Sequence, residues 1–229
     1  MEIYGTLVRF FHQGGIFMFP IAVVFGLGIA VAIERWFYLR KIASKNRAVW
    51  REVTPLLNLG DLNGVAAIAS KSDTAIANML SYGLNRVRLG RHPDEVERAM
   101  EESLIEAIPS IEKRTHYLAM FANVATLLGL LGTIAGLIHA FAAVGDASAA
   151  EKAALLSSSI SEALNCTAFG LLVAIPMMMI HSLLQSRATE IVDSLETASV
   201  KFLTAVTERA APVARPEAAP RIAPSPVHA

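Results

Sequence analysis

Cysteine is nearly absent from this chain of 229 residues, charge is scarce, and only 7% of the residues are aromatic. The lone Cys166 excludes an intramolecular disulfide, and its place inside an apolar run reads as that of a small packing residue. Charged residues make up 17% of the chain against 54% hydrophobic, with a mean hydropathy of +0.47, a balance that does not suit a soluble globule. Catalytic signatures are missing too. There is no Gly-rich phosphate loop ending in Lys-Ser/Thr, no His pair at metal-ligand spacing and no Gly-x-Ser-x-Gly elbow. An intramembrane hydrolase could only be assembled from Ser157 to Ser161 with His139 or His181, and those histidines fall near opposite membrane faces. No enzyme, metal, cofactor or nucleic-acid partner is therefore expected, and neither internal repeats nor β-alternation of consequence occur.

What the chain does have is clustered apolar sequence. Crossing a bilayer takes about 20 mostly apolar residues, and Gly15 to Ile33, Leu118 to Val144 and Ala163 to Ile180 with its lead-in from Leu155 all qualify. The expected fold class is an all-α membrane protein with three transmembrane helices, the second and third extended into the cytoplasm.

A formal net charge of zero conceals where the cations lie. Arg9 precedes the first run and Lys152 lies between the second and third, whereas 18 of the 20 Lys and Arg fall in 35–114 and after the third run. Cytoplasmic segments carry the excess of Lys and Arg, so the N-terminus is expected in the periplasm and the C-terminus in the cytoplasm of a bacterial inner membrane. A secretory signal would explain the first apolar run, but it lacks a small-residue cleavage site and is followed at once by the basic stretch Arg35 to Arg47.

The resulting organisation is an amphipathic helix over 1–13, a first transmembrane helix over 15–39, and a cytoplasmic helical loop over 40–114. A second transmembrane helix (115–145), a periplasmic loop (146–154) and a third transmembrane helix (155–185) follow. A cytoplasmic helical extension (186–209) and a disordered Pro/Ala-rich tail (210–229) complete the chain. Gly14 and Gly15 separate the first helix from the first span, which ends in the aromatic belt Trp36, Phe37 and Tyr38. Within the loop, helices are expected at Lys45 to Val53, ending before Pro55, at Asp61 to Ser70, and at Thr74 to Leu89. A fourth begins at Pro93 and continues unbroken through the second span, kinked at Pro109.

Two clusters stand out in the spans. Gly129, Gly132 and Gly136 include a GxxxG pair, whose small residues let helix backbones approach closely in lipid; packing is the expected role. Thr133 either back-bonds to its own helix or faces a cavity. The third span opens with Ser157, Ser158, Ser159, Ser161 and Glu162, followed by Asn165 and Thr167. Counted from Leu155, Glu162 is roughly 10 Å into the helix. An ionised carboxylate at that depth costs a few kcal/mol, so it either marks an ion pathway or is a wetted interfacial residue. At about 100° per residue, Ser158, Asn165, Cys166 and Phe169 share its side, while Thr167 lies about 140° away. Glu162 and Thr167 must then meet different neighbours.

These residues carry a resemblance. Gly129-Leu130-Leu131-Gly132-Thr133-Ile134-Ala135-Gly136, Ile160-Ser161-Glu162-Ala163-Leu164, Thr167-Ala168, Gly170-Leu171 and Ala174-Ile175-Pro176 are similar to spans two and three of the MotA/TolQ/ExbB proton-channel family. Three spans, and Ile138-His139-Ala140-Phe141 after the glycines, place it nearer TolQ and ExbB than MotA. The resemblance implies a homopentamer whose second and third spans surround two copies of a single-span ExbD/TolR-like partner carrying an Asp. It also implies a TonB- or TolA-like effector and conversion of proton flow into force or rotation on the envelope or on outer-membrane transport. The family's pore-facing threonines match Thr133 and Thr167, and its third-span glutamate matches Glu162. With Asn165 these make up the expected ion path. Each charge moved supplies about 2.3 kcal/mol per 100 mV, so repeated steps are needed.

Three departures from the pattern stand out. Thr126 stands where relatives have Pro, Asn165 and Cys166 where they have small or aliphatic residues, and Ser157 to Ser159 where they have Pro. The added oxygens suit either a proton-conducting water wire or a Na⁺-driven member. A non-conducting scaffold that uses the glycine face only for assembly is the rival reading. A small-solute transporter would call for broken helices or inverted repeats, which are not evident.

Overall fold

A computed structural model describes residues 15–146 and 148–210. The expected helix over 1–13 and the tail beyond Ala210 lie outside the described residues. Six α-helices follow in order: α1 (Met18–Leu59), α2 (Leu62–Ala69), α3 (Ala75–Arg88), α4 (Pro93–Glu112), α5 (His116–Asp146) and α6 (Ala149–Ala210). The described residues contain no strand. Three helical stretches are long and apolar enough to cross a membrane, lying within 18–59, 93–145 and 151–208.

The helix ends follow from local chemistry. Gly15, at φ +74°, turns the chain into α1, its carbonyl accepting from Met18 N at 3.3 Å. Asp61 caps α2 by accepting from Gly64 N at 2.9 Å, and Thr74 caps α3 through Ala77 N at 3.3 Å. Arg86 and Arg88 complement the dipole in the last turn of α3, which Gly90 closes at φ +65°.

Three sequence expectations are corrected. Pro55 does not end a separate helix, because α1 runs unbroken from the first span to Leu59. A proline withdraws a single donor, and Thr54 Oγ1 meanwhile bonds the Trp50 carbonyl at 2.7 Å. Nor does α4 run on into the second span with its bend at Pro109. It passes that proline and stops at Glu112, and the break falls at 113–115, where Arg114 takes φ +66°. Finally, 149–154 is helical rather than part of a loop. The Ser148 hydroxyl donates to Glu151 Oε2 at 2.6 Å, and Ser148 N reaches the same oxygen at 3.4 Å. With Glu151 N donating to the Ser148 carbonyl at 3.0 Å, this cap starts α6 in an alanine-rich stretch of high helix propensity.

The chain forms two compact units, one from the described parts of 1–48 and 104–195, the other from those of 49–103 and 196–229. In the second, Val65, Ile76, Leu80, Met100 and Phe202 are buried, and Gly83 packs against Met100 and Phe202. The first contains all three apolar segments. Its core joins Ile21 of α1 with Ala122 and Ala125 of α5 and Cys166, Val173, Ala174 and Met177 of α6.

Candidate functional site

Small residues set the geometry where α5 meets α6. A methyl added at Gly129 would stand 3.2 Å from Thr167 Cα and 3.3 Å from Gly170 Cα. One at Gly170 would stand 2.7 Å from the Ala125 carbonyl oxygen, and one at Gly136 would stand 2.9 Å from Ala163 Cβ. At Gly132 it would overlap Cys166 Sγ. The two backbones are therefore in contact along a seam that no larger residue fits, the close approach that small-xxx-small spacing permits in lipid. Cys166, buried at 1%, fills the hollow left by Gly132.

That proximity brings two hydroxyls together. Thr133 Oγ1 and Thr167 Oγ1 are 2.8 Å apart, and Thr167 Oγ1 also lies 2.9 Å from the Gly129 carbonyl oxygen across the seam. On its own helix, Thr133 reaches the carbonyls of Leu130 at 2.9 Å and Gly129 at 3.2 Å. Each hydroxyl has one proton to give, so two chains satisfy the pair. In one, Thr133 donates to Thr167 and Thr167 to Gly129. In the other, Thr167 donates to Thr133 and Thr133 to Leu130. The polarity of the pair can reverse by rotation of two hydroxyls. Thr126 is outside this arrangement and bonds its own helix at the Ala122 carbonyl, 3.1 Å away.

Glu162 is turned elsewhere, in keeping with the angle that separates it from Thr167. Its carboxylate lies against the backbone of Gly15 at the start of α1. The third span thus presents Thr167 to α5 and Glu162 to α1, both within one chain. Asn165, on the Glu162 side of the helix, is half-buried. Ser158 bonds the Leu155 carbonyl at 3.0 Å.

One arrangement escaped sequence reasoning. Arg35 is 2% exposed and donates to the Ile111 carbonyl. In an unbroken helix that carbonyl would accept from Thr115 N, which instead bonds Glu112 O at 3.2 Å. The break at 113–115 thus frees an acceptor, and the guanidinium takes it. The same side chain lies over the Tyr38 ring at 4.6 Å, and Glu34 pairs with Arg114 at 3.3 Å. In the sequence, Arg35 looks like one more cation at the end of a span; only the non-glycine residue at positive φ gives it a buried partner.

Lower on α6, an open furrow of about 590 Å³ is lined by His181, Ser182, Gln185, Ser186, Thr189, Glu190 and Asp193. At about 100° per residue, Gln185 falls directly in line with Thr167, and His181 and Thr189 fall about 40° to either side.

Three apolar helical segments, two of them joined by a glycine seam that holds paired hydroxyls, define an all-helical membrane protein with polar groups inside its bundle. A model of the MotA/TolQ/ExbB proton channel family matches residues 71–197, and the chain belongs to that family. It is 30% identical over 198 residues to a protein of Methanothermobacter thermautotrophicus named as a biopolymer transport ExbB homolog, covering 86% of this chain and 69% of that one. The chain is 39% identical over 94 residues to the Tol-Pal system protein TolQ of Haemophilus influenzae, 41% of each chain. The biopolymer transport protein ExbB of Pseudomonas putida is 26% identical over 208 residues, 83% of this chain and 63% of that one.

Proposed function

We propose that this chain is the pore-forming subunit of an ion-driven motor in the bacterial inner membrane, with its N-terminus in the periplasm and its C-terminus in the cytoplasm. Five copies surround two single-span ExbD/TolR-like partners, and proton flow past them is converted into force or rotation. A TonB- or TolA-like effector carries that work to the envelope or to outer-membrane transport. The subunit itself catalyses no reaction and needs no cofactor. The observation that carries this reading is the Thr133–Thr167 pair, 2.8 Å apart, with both residues inside the stretch 71–197 that the family matches. A reversible hydroxyl pair at membrane depth can pass a hydrogen-bond polarity to an adjacent carboxylate or water without itself ionising.

The furrow below Thr167 supports the same reading, since it continues a polar face toward the cytoplasm where water could receive the proton. Glu162, Asn165 and the hydroxyls of Ser157 to Ser161 provide a polar approach from the opposite side. Those oxygens would also suit Na⁺, so the transported ion is to be settled by flux in each gradient. In complexes reconstituted with the single-span partner, Thr167→Val and Glu162→Gln should abolish proton-motive-force-dependent work while subunit assembly persists. Wild-type work from both variants would sink the assignment.

A second reading has its own observation. Among the described residues, Thr133 and Thr167 bond to each other and to carbonyls of α5. That is what a non-conducting scaffold would use for packing alone, and such a scaffold would pass no ions when reconstituted.

A further inference from the structure

We propose that Gly15 is a positioning residue for Glu162, so that the first turn of the first span sets where the carboxylate of the third span stands. This rests on the ion-path reading of Glu162 given above and extends it to a helix that the pore reading leaves outside.

A methyl at Gly15 would overlap Glu162 Oε1 and stand 3.3 Å from Cδ and 3.5 Å from Cγ. The whole carboxyl end of the side chain therefore lies over this one Cα. Two residues on, Phe17 Cβ would stand 3.2 Å from a methyl at Gly132, so the start of α1 packs on α5 as well as on α6. Further along, in α1, Gly28 is covered by Met177 of α6, whereas Gly26 has nothing within 4 Å of an added methyl, so its lack of a side chain serves no such approach.

Gly15 has a second reason to be glycine, its φ of +74°. The turn and the seat are separable, because a turn can be preserved while the space is filled. Electrostatics suits the seat: the N-terminus of a helix carries a partial positive charge that favours a nearby carboxylate. Displacing α1 by the width of a methyl group would move the carboxylate without touching Thr133 or Thr167.

The test uses the complex reconstituted with its single-span partner and two readouts, proton flux and the infrared carboxylate band assigned by its loss in Glu162→Gln. In Gly15→Ala the band should shift and flux should fall several-fold, while Gly26→Ala changes neither. Adding Glu162→Asp to Gly15→Ala withdraws the carboxylate by one methylene, and flux should recover above that of Gly15→Ala alone. Should Gly15→Ala fail to assemble, Gly15→Asn accepts the left-handed backbone yet still fills the space, and the same band shift is expected. An unmoved band in the assembled variant overturns the seat, and so does a flux loss that Glu162→Asp cannot relieve, which would assign Gly15 to the turn alone. If the wild-type complex passes no protons, the motor reading falls, and the band still decides the seat.

Discussion

The α5–α6 seam and the joint at 113–115 belong to the same compact unit, yet they are made in opposite ways. Along the seam, side chains have been removed until backbone meets backbone, and Gly129, Gly132, Gly136 and Gly170 are filled by their neighbours. At the joint, a helix has been broken and a large cation inserted, with Arg35 held on the Ile111 carbonyl and over Tyr38. The difference teaches what each contact is sensitive to. A seam without side chains should respond to added volume and be indifferent to charge, whereas a joint built on a buried guanidinium should respond to the loss of one polar partner.

The largest effect is expected where a buried polar group loses its partner. Arg35→Ala leaves the Ile111 carbonyl without its donor and removes the contact with Tyr38, and should lower stability by about 3 kcal/mol, since truncating one partner of a buried charge-assisted bond exposes the other's desolvation cost. Arg35→Lys keeps the charge but not the planar group and should fall between. Denaturation in detergent, followed by helical circular dichroism, measures both. An Arg35→Ala protein as stable as wild type would make the joint no different from an exposed loop.

Next comes volume. Gly129→Val places methyl groups where Thr167 Cα and Gly170 Cα already stand, and overpacking of this kind should cost about 2 kcal/mol. Gly26→Val, facing open space, should cost nothing and gain about 0.3 kcal/mol, because valine forms helix better than glycine. Equal losses at the two glycines would mean that the seam is not closed in solution.

How far these features could be read in advance follows from how local their causes are. The three spans were legible because apolar runs of bilayer length need no knowledge of partners. The separation of Glu162 from Thr167 was legible because helical angle depends only on residue count. The seam was readable from glycine spacing. The joint was not, since nothing in Lys113-Arg114-Thr115 announces a positive φ, and the acceptor that Arg35 takes exists only once that turn has formed. Gly15 was visible as a helix breaker but not as the neighbour of Glu162, because their contact joins the first span to the third. Pro55 and Pro109 misled for the converse reason: each removes one hydrogen bond, and the rest of a long helix outweighs it.

Two threonines sharpen the comparison at a smaller scale. Thr167→Val removes the bonds to Thr133 and to the Gly129 carbonyl and should cost about 1 kcal/mol, the usual worth of interhelical hydrogen bonds in membranes. Thr115, fully buried at the joint, has a hydroxyl with no hydrogen-bond partner among the described residues, so Thr115→Val should be neutral or stabilising by up to about 1 kcal/mol. If Thr115→Val is instead the more costly of the two, the joint holds a bridging water and is better satisfied than its protein partners indicate.

The smallest effect concerns how the seam's own helix begins. The hydroxyl and backbone N–H of Ser148 hold the Glu151 carboxyl below the usual carboxylate range. A carboxyl whose folded value is depressed lends stability above its unfolded value and loses it as pH falls through the folded one. The first turn of α6 should therefore fray on acidification below the ordinary carboxylate range and hold at neutral pH, a change visible as faster amide exchange near Lys152. Glu151→Gln should remove most of that pH dependence. Because Glu151 is exposed and Glu162 lies three turns further along α6, the seam contacts at Gly129 and Gly132 should keep their protection throughout. Loss of protection at both places together would mean that the cap and the seam open as one unit, and that the contrast between the two kinds of contact ends where α6 begins.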